Sequence, residues 1–542
     1  MPTLHWIGKE KVINHHLNVP FRVLDHQYGF DNGVQSPAET VSGNKIIHGD
    51  NLEALKALLP EYEGKIKCIY IDPPYNTGNE GWVYNDNVND PKIKKWIHDV
   101  VGKEGEDLSR HDKWLCMMYP RLKLLHKLLS EDGLLLISID DSEFSLLKLL
   151  NDEIFGQQNF FATFVWRRRV SSSMASSWIS KDHEYILGFS KNPNSVFVRG
   201  LDRDLSKYNI PDKDGRFYAS MPLTVGMTKE MRPNQWYELI NPKTGTGYLP
   251  TKGRVWGFYP PTMAEKIASD MIIWPEDYPD RKLTTPRLKS YPEDAKRDRK
   301  PLSTWIFELN QEIDLLGNVF IKTGKNEEGA RLLKEMFGDN VFTYAKPLSL
   351  IQSLISQFTQ DQDIILDSFS GSGTTAHAVI NLNKQDGGDR KFILVEMEEY
   401  AETVTAERVK RVIKGYAGQE GTGGSFDYYE LGSPLFHENG DLNETVPIDK
   451  IRNYIYYSET LNPLPAVINN DCDYFLGKNE DTAYYFFYQP EAVCTLNHDF
   501  LAMIKTRAEQ YVIYADNCLL TKEFMNKRGI IFKKIPRDIT KF

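Results

Sequence analysis

Four consecutive residues, Asp72-Pro73-Pro74-Tyr75, set a carboxylate and an aromatic ring around two rigid prolines, directly after the apolar run Ile66 to Ile71. The run, with Cys68 and Tyr70 inside it, reads as a buried strand. The prolines end it, because each fixes φ near about −65° and carries no N–H. An acid and a ring are thereby held together at a strand's C-terminal end, where open α/β sheets bind ligands. Asp72 and the Pro73 carbonyl could accept both hydrogens of an exocyclic amine, and Tyr75 could stack on the ring that bears it. That suits a base taken out of a nucleic-acid stack. The same residues also fit a plain strand-to-turn exit with a surface aspartate.

A second constellation lies far downstream. Asp363 to Asp367 is an apolar strand that runs into Ser368-Phe369-Ser370-Gly371-Ser372-Gly373-Thr374-Thr375 and then a helical stretch. In a strand, glycine loop and helix of this kind, Gly371 and Gly373 let the backbone approach a ligand, and the helix N-terminus favours an anionic group. A glycine loop alone fits a nucleotide or dinucleotide equally well. The next strand, Lys391 to Val395, ends at Glu396, placed to accept from both ribose hydroxyls or to be a solvated loop acid.

With both motifs in view, the chain resembles the amino-methyltransferases that use S-adenosylmethionine. The order, tetrad first and glycine loop far downstream, is similar to the β group, whose target-recognition region lies between them. His48-Gly49-Asp50 resembles the segment beside the cofactor's adenine, and Lys346-Pro347 the lysine-proline segment preceding the glycine loop. The set as a whole resembles the Mod subunit of type III restriction–modification systems. Lys181-Asp182-His183-Glu184-Tyr185-Ile186 and the stretch Asn383 to Arg390 fit that subgroup. Ser370 departs from the family's frequent alanine.

The resemblance implies a Rossmann-like α/β sheet with an inserted target-recognition domain. It implies S-adenosylmethionine as cofactor, held by Asp50, Lys346, Asp367, Phe369, Gly371, Gly373, Thr374 and Glu396. It implies double-stranded DNA as substrate, a homodimer, and a separate helicase–nuclease (Res) partner. Asp rather than Ser before Pro-Pro-Tyr favours adenine N6 over cytosine N4, and the alternatives are N4 methylation or a DNA-recognition subunit without activity.

The chemistry is consistent with this. Adenine N6 is a poor nucleophile because its lone pair is delocalised, and accepting its hydrogens at Asp72 and Pro73 frees that pair for direct attack on a sulfonium methyl. The sequence holds no Pro-Cys motif that would suggest ring-carbon methylation. A nicotinamide oxidoreductase would use the glycine loop but leaves the tetrad unexplained. A phosphate-binding Gly-x-x-x-x-Gly-Lys-Ser/Thr loop is absent, so cleavage would need another chain.

The 542 residues suffice for two or three domains with a large core. No run of 18 apolar residues and no signal peptide are visible, and five scattered cysteines read as reduced cytosolic thiols with neither a disulfide framework nor a metal site. A cytoplasmic location follows. The net charge of −10 is unevenly spread, because residues 166 to 335 carry 28 Lys+Arg against 22 Asp+Glu. Within that stretch Arg167, Arg168 and Arg169, together with Lys181, are candidate DNA contacts, as is a second patch of Arg281, Lys282, Arg287, Lys289, Lys296, Arg297, Arg299 and Lys300. Each single cation could equally be a solvated loop charge.

The expected organisation is an N-terminal arm (1–42), a catalytic half (43–165), a target-recognition domain (166–340), a cofactor-binding half (341–435) and a small C-terminal domain (436–542). Predicted helices cover 51–59, 114–129, 142–150 and 402–413. Predicted strands cover 45–47, 134–139, 363–367 and 391–395. Asp140 and Asp141 read either as acids supporting the site or as a helix cap.

Overall fold

The computed structural model describes residues 3–77, 110–169, 178–203, 205–277, 283–294, 299–308, 321–465 and 471–537. Two compact units emerge: Met1–Arg199 with Ser303–Gln311 and Phe320–Phe542, and Gly200–Leu302 with Glu312–Val319.

The first unit is built on a mixed sheet. In chain order its strands are β1 (Arg22–Asp31), β2 (Val34–Ser36), β3 (Lys45–His48), β4 (Ile66–Ile71), β5 (Leu129–Ile139), β6 (Phe160–Arg167), β7 (His183–Ser190), β8 (Trp305–Glu308), β9 (Lys322–Thr323), β10 (Ile364–Asp367), β11 (Lys391–Glu396) and β12 (Ser425–Pro434). Among the described residues their spatial order is β9-β8-β6-β7-β5-β4-β10-β11-β3-β12-β1-β2. The central strands β5, β4, β10, β11, β3 and β12 are all parallel to their neighbours within that run. Of these, β4, β10 and β11 are nearly continuous apolar stretches, as strands of a parallel sheet covered on both faces are. The architecture is that of a Rossmann-like α/β sheet.

Helices of this unit between β3 and β12 are α1 (Asn51–Tyr62), α2 (Arg110–Leu128), α3 (Phe144–Phe155), α4 (Asn326–Phe337), α5 (Leu348–Phe358), α6 (Thr374–Asp386) and α7 (Glu407–Lys414). Their apolar faces explain the packing. Leu52, Leu55, Leu58 and Leu59 of α1 are buried against Leu122 and Leu125 of α2 in the main core. One six-residue π-helical turn, Ala401–Ala406, leads into α7.

The topology brings the two halves of the chain together. Strand β10 pairs with β4 (Ile365 opposite Cys68, Leu366 opposite Ile69), so the ends of strands nearly 300 residues apart in sequence lie side by side. The expected N-terminal arm contains β1, a ten-residue strand that pairs antiparallel with β12 over most of its length. Strand β7, within the expected recognition domain, and β6, which crosses the expected boundary at 166, belong to this sheet.

The second unit is narrower than the expected span of 166–340. It holds a four-stranded sheet in the order Ile272–Ile273, Arg287–Ser290, Phe217–Pro222, Ile210–Pro211. Its core is Leu223, Leu239, Trp256, Met263, Ile272 and Trp274. The C-terminal region of the first unit adds a four-stranded sheet of its own, β13 (Phe475–Asn479), β14 (Thr482–Phe486), β15 (Gln510–Ala515) and β16 (Ile530–Lys534). A buried Arg537–Asp516 pair at 2.6 Å closes it. No helix among the described residues is long and apolar enough to cross a membrane.

Candidate active site

Strand β4 delivers Asp72 to the C-terminal edge of the sheet, and the prolines send the chain out over it. Two side chains fix the exit. The Trp114 indole N–H donates to the Pro74 carbonyl at 2.6 Å. The fully buried Asn76 takes φ of 57° and donates to the Arg110 carbonyl and to Glu143. The tetrad is therefore held by the core and is not a solvated turn.

Lys346 reaches Asp72 from the other half of the chain, donating to Oδ1 at 2.8 Å and Oδ2 at 2.6 Å. Its ammonium lies 4.9 Å from the centre of the Tyr75 ring and 3.9 Å from Glu184 Oε2. Burial alone would lower the Lys346 pKa, but the Asp72 and Glu184 carboxylates outweigh it and raise the pKa above its usual value. The expected cofactor residue Lys346 is thus also a direct partner of the tetrad.

The glycine loop faces this group across a cleft of about 960 Å³, lined on one side by Asp72, Pro73, Pro74 and Tyr75 and on the other by Phe369, Gly371 and Glu396. Gly371 (φ 49°) and Gly373 (φ 78°) take left-handed conformations. A Cβ on Gly373 would lie 3.1 Å from the Thr405 carbonyl oxygen, so the backbone here can be no bulkier. Thr405, in the π-helical turn, donates its hydroxyl to the Gly371 carbonyl at 2.6 Å. Gly373 caps α6, whose first residue is Thr374.

Two carboxylates stand at the ends of adjacent strands. Asp367 accepts from the Thr375 hydroxyl at 2.5 Å and the Phe369 N–H at 3.1 Å. Burial raises its pKa to about 7. Glu396, 5% exposed, accepts from the Gly371 N–H at 2.8 Å and the Glu398 N–H at 3.0 Å, and burial likewise raises it to about 7. Glu396 is therefore part of the cleft wall, not a solvated acid. The hydroxyl oxygens of Ser368 and Ser370, which line the same cleft and are buried, have no hydrogen-bond partner among the described residues. Such unsatisfied groups in a cleft call for a polar ligand.

Asp50 sits beside this wall as the N-cap of α1, its Oδ1 accepting from the N–H groups of Leu52 and Glu53. Its neighbour Asn51 lines the cleft and donates to the Ser368 carbonyl at 3.2 Å. Arg168, Arg169 and Lys181 line the cleft on the tetrad side. Arg168 pairs with Glu184 at 2.9 Å, Arg169 with Asp182 at 3.2 Å, and Lys181 lies 3.7 Å from Asp141. Arg167 ends β6. In the second patch, Arg287 bonds the Ser220 side chain and carbonyl and Lys289 pairs with Asp270, while Arg281, Lys282, Lys296 and Arg297 lie outside the described residues. Asp140 accepts from the Ser142 N–H at 2.8 Å, as expected of a turn leading into a helix.

Glu184 lies in a stretch that carries the resemblance, but its bonds to Tyr75 and Arg168 are not legible there. Arg408 escapes motif reading: fully buried beneath the glycine loop, it donates to the Ser372 hydroxyl at 2.9 Å and the Thr374 hydroxyl at 2.8 Å, and burial lowers its pKa to about 10. Its one sequence signal is a cation on the apolar face of a helix, four residues after Val404 and four before Val412.

Comparison with known proteins agrees with this geometry. The family model described as DNA methylase (N6_N4_Mtase) matches residues 66–407, from the start of β4 through the glycine loop. The chain is 32% identical to the type III restriction-modification enzyme StyLTI Mod subunit of Salmonella typhimurium over 66% of this chain and 53% of that one. It is 32% identical to the EcoP15I Mod subunit of Escherichia coli over 73% of this chain and 64% of that one. The type II methyltransferase M.KpnI of Klebsiella pneumoniae is 32% identical over 67% of this chain and 82% of its own length. The chain thus spans between about half and two thirds of the type III relatives it matches. The family match embraces both walls of the cleft, and the chain belongs to the N6/N4 DNA methylase family.

Proposed function

We propose that this chain is a site-specific DNA methyltransferase that uses S-adenosylmethionine to methylate adenine N6 in double-stranded DNA, as the modification subunit of a type III system. The observation that carries the reading is the tetrad Asp72-Pro73-Pro74-Tyr75 facing the glycine loop across one cleft.

The residues on the loop side fit the cofactor. Gly371 and Gly373 leave the backbone open to its approach, Phe369 offers an apolar face, and Ser368 and Ser370 present unsatisfied hydroxyls. Glu396 keeps lone pairs for ribose hydroxyls beyond the two backbone N–H groups it already accepts. When bound, S-adenosylmethionine supplies an electrophilic methyl group.

The tetrad side acts on the base. Tyr75 offers a stacking face, worth roughly 1–3 kcal/mol per base, comparable with the few kcal/mol that extruding a base costs. Asp72 and the Pro73 carbonyl accept the two hydrogens of the amine, which localises the nitrogen lone pair. Each carboxylate oxygen has more than one lone pair, so Asp72 can hold Lys346 and still accept an amine hydrogen. The proton released after transfer has Asp72 as its nearest acceptor. Aspartate before Pro-Pro-Tyr supports adenine as the target.

The similarity to proteins named as Mod subunits of restriction-modification enzymes supports DNA as substrate and a separate restriction subunit as partner. That the DNA is double-stranded, that the partner is a helicase–nuclease, that the chain is a homodimer and that it is cytoplasmic are further parts of the proposal. Nucleoside mass spectrometry of unmethylated genomic DNA incubated with the protein and cofactor tests the reaction. N6-methyladenine is the expected product. N4-methylcytosine in its place would overturn the assignment of the base, and no methylated nucleoside would overturn the enzyme.

A further inference from the structure

Glu184 is buried, at 4% exposure, and the transfer just described makes no use of it. It is the second residue of β7, opposite Trp166 of β6. A carboxylate in such a place is tolerated only when its charge and lone pairs are answered. Three groups answer it. Arg168 donates to Oε1 at 2.9 Å, the Tyr75 hydroxyl donates to Oε2 at 3.2 Å, and the Lys346 ammonium lies 3.9 Å from Oε2. Lys346 at the same time holds both oxygens of Asp72.

The consequence concerns the ring. Tyr75 borders the cleft but is buried, at 9% exposure, in the main core, so its ring is held by packing and by what its hydroxyl meets. Its ring face is the stacking surface, so its orientation decides whether an extruded base is met flat. The hydroxyl is the far end of that lever, and Glu184 accepts from it, with Asp72 also beside it. Arg168 in turn holds Glu184, which turns an arginine of the basic run Arg167–Arg169 inward as a counter-ion. Asp72 and Glu184 share one lysine, so the charge beside the amine site depends on both acids.

We propose that Glu184 is a positioning residue for methyl transfer: through the Tyr75 hydroxyl it fixes the stacking ring, and with Arg168 and Lys346 it completes the charge network around Asp72. This rests on the reading of Tyr75 as the ring that meets the target base. Glu184 exchanges no atom with substrate.

The test is a double-mutant cycle in the full-length protein, with unmethylated genomic DNA and S-adenosylmethionine labelled in the methyl group. Glu184→Gln should lower kcat about tenfold, the size expected for a charge-assisted hydrogen bond. Cofactor affinity by calorimetry should stay within about twofold of the wild type, since the groups Glu184 bonds, Tyr75 and Arg168, lie outside the glycine loop. In a Tyr75→Phe background, where the hydroxyl is gone, Glu184→Gln should cost markedly less, because its main route to the reaction has been removed. Glu184→Asp retains the charge and shortens the reach, and serves as the second variant if Glu184→Gln does not fold. An unchanged kcat in both Glu184 variants, or an undiminished effect in the Tyr75→Phe background, overturns the inference. Failure of the folded wild type to label any DNA overturns the methyltransferase reading itself.

Discussion

Single residues carry the chemistry, and Glu396 shows how burial tunes it. Glu396 has a pKa near 7 where an ordinary glutamate has 4.5. Between those values the folded protein keeps a proton that the unfolded chain has released. The folded state binds more protons there, so the contribution of this residue to stability falls as pH rises through the window and levels off above about 7. The size is on the order of 3 kcal/mol. Glu396→Gln removes the titration, so its stability should decline less than that of the wild type between pH 4.5 and 8. Urea unfolding of the two proteins across that range measures it, and parallel curves would count against a buried, protonated Glu396. The carboxylate itself was legible from its place after a strand, but its burial was not, because the sequence Glu396-Met397-Glu398-Glu399 reads as an acidic surface loop.

Elements decide where those residues stand. Strands β4, β10 and β11 and helices α1, α2 and α6 were legible, since each is a long apolar or amphipathic run bounded by clear stops. Strand β1 was not. Its hydrogen-bonding partner β12 lies about 400 residues away, and its own burial pattern does not alternate cleanly. The helix expected over 402–413 begins as a π-helical turn, a form no residue pattern announces, and that turn supplies Thr405 to the glycine loop. Gly373 sits between that turn and α6 with φ of 78°. Gly373→Asp would set a side chain against the Thr405 carbonyl, add negative charge at a helix N-terminus facing the cleft, and strain the backbone by about 1–3 kcal/mol. Cofactor affinity should fall about tenfold or more, as read by calorimetry. Equal affinity would mean that the loop does not bound the cofactor site.

At the scale of the whole molecule, an acidic chain is assigned to a polyanion. The net charge of −10 is reconciled by local cations on the cleft wall. Arg169 and Lys181 are held by Asp182 and Asp141 near the surface, whereas Arg168 is spent on buried Glu184. Arg169→Ala and Lys181→Ala should each reduce the slope of log Kd against log salt by about 1 for duplex DNA, while Arg168→Ala leaves it unchanged. Fluorescence anisotropy over a salt series reads this, and a slope change for Arg168→Ala alone would reverse the assignment. Division into units was legible only coarsely. The change of composition after Trp166 is visible in the sequence, but β7 returns to the main sheet between β5 and β6 through pairings that no local pattern announces.

The central claim is that Asp72 drives methylation of adenine at a defined site. Single-molecule sequencing of DNA from cells expressing the wild type or Asp72→Ala tests it most directly. The predicted result is a short asymmetric motif carrying N6-methyladenine on one strand, present with the wild type and absent with the variant. The same motif modified in both, or no modified adenine with the wild type folded and expressed, would contradict it.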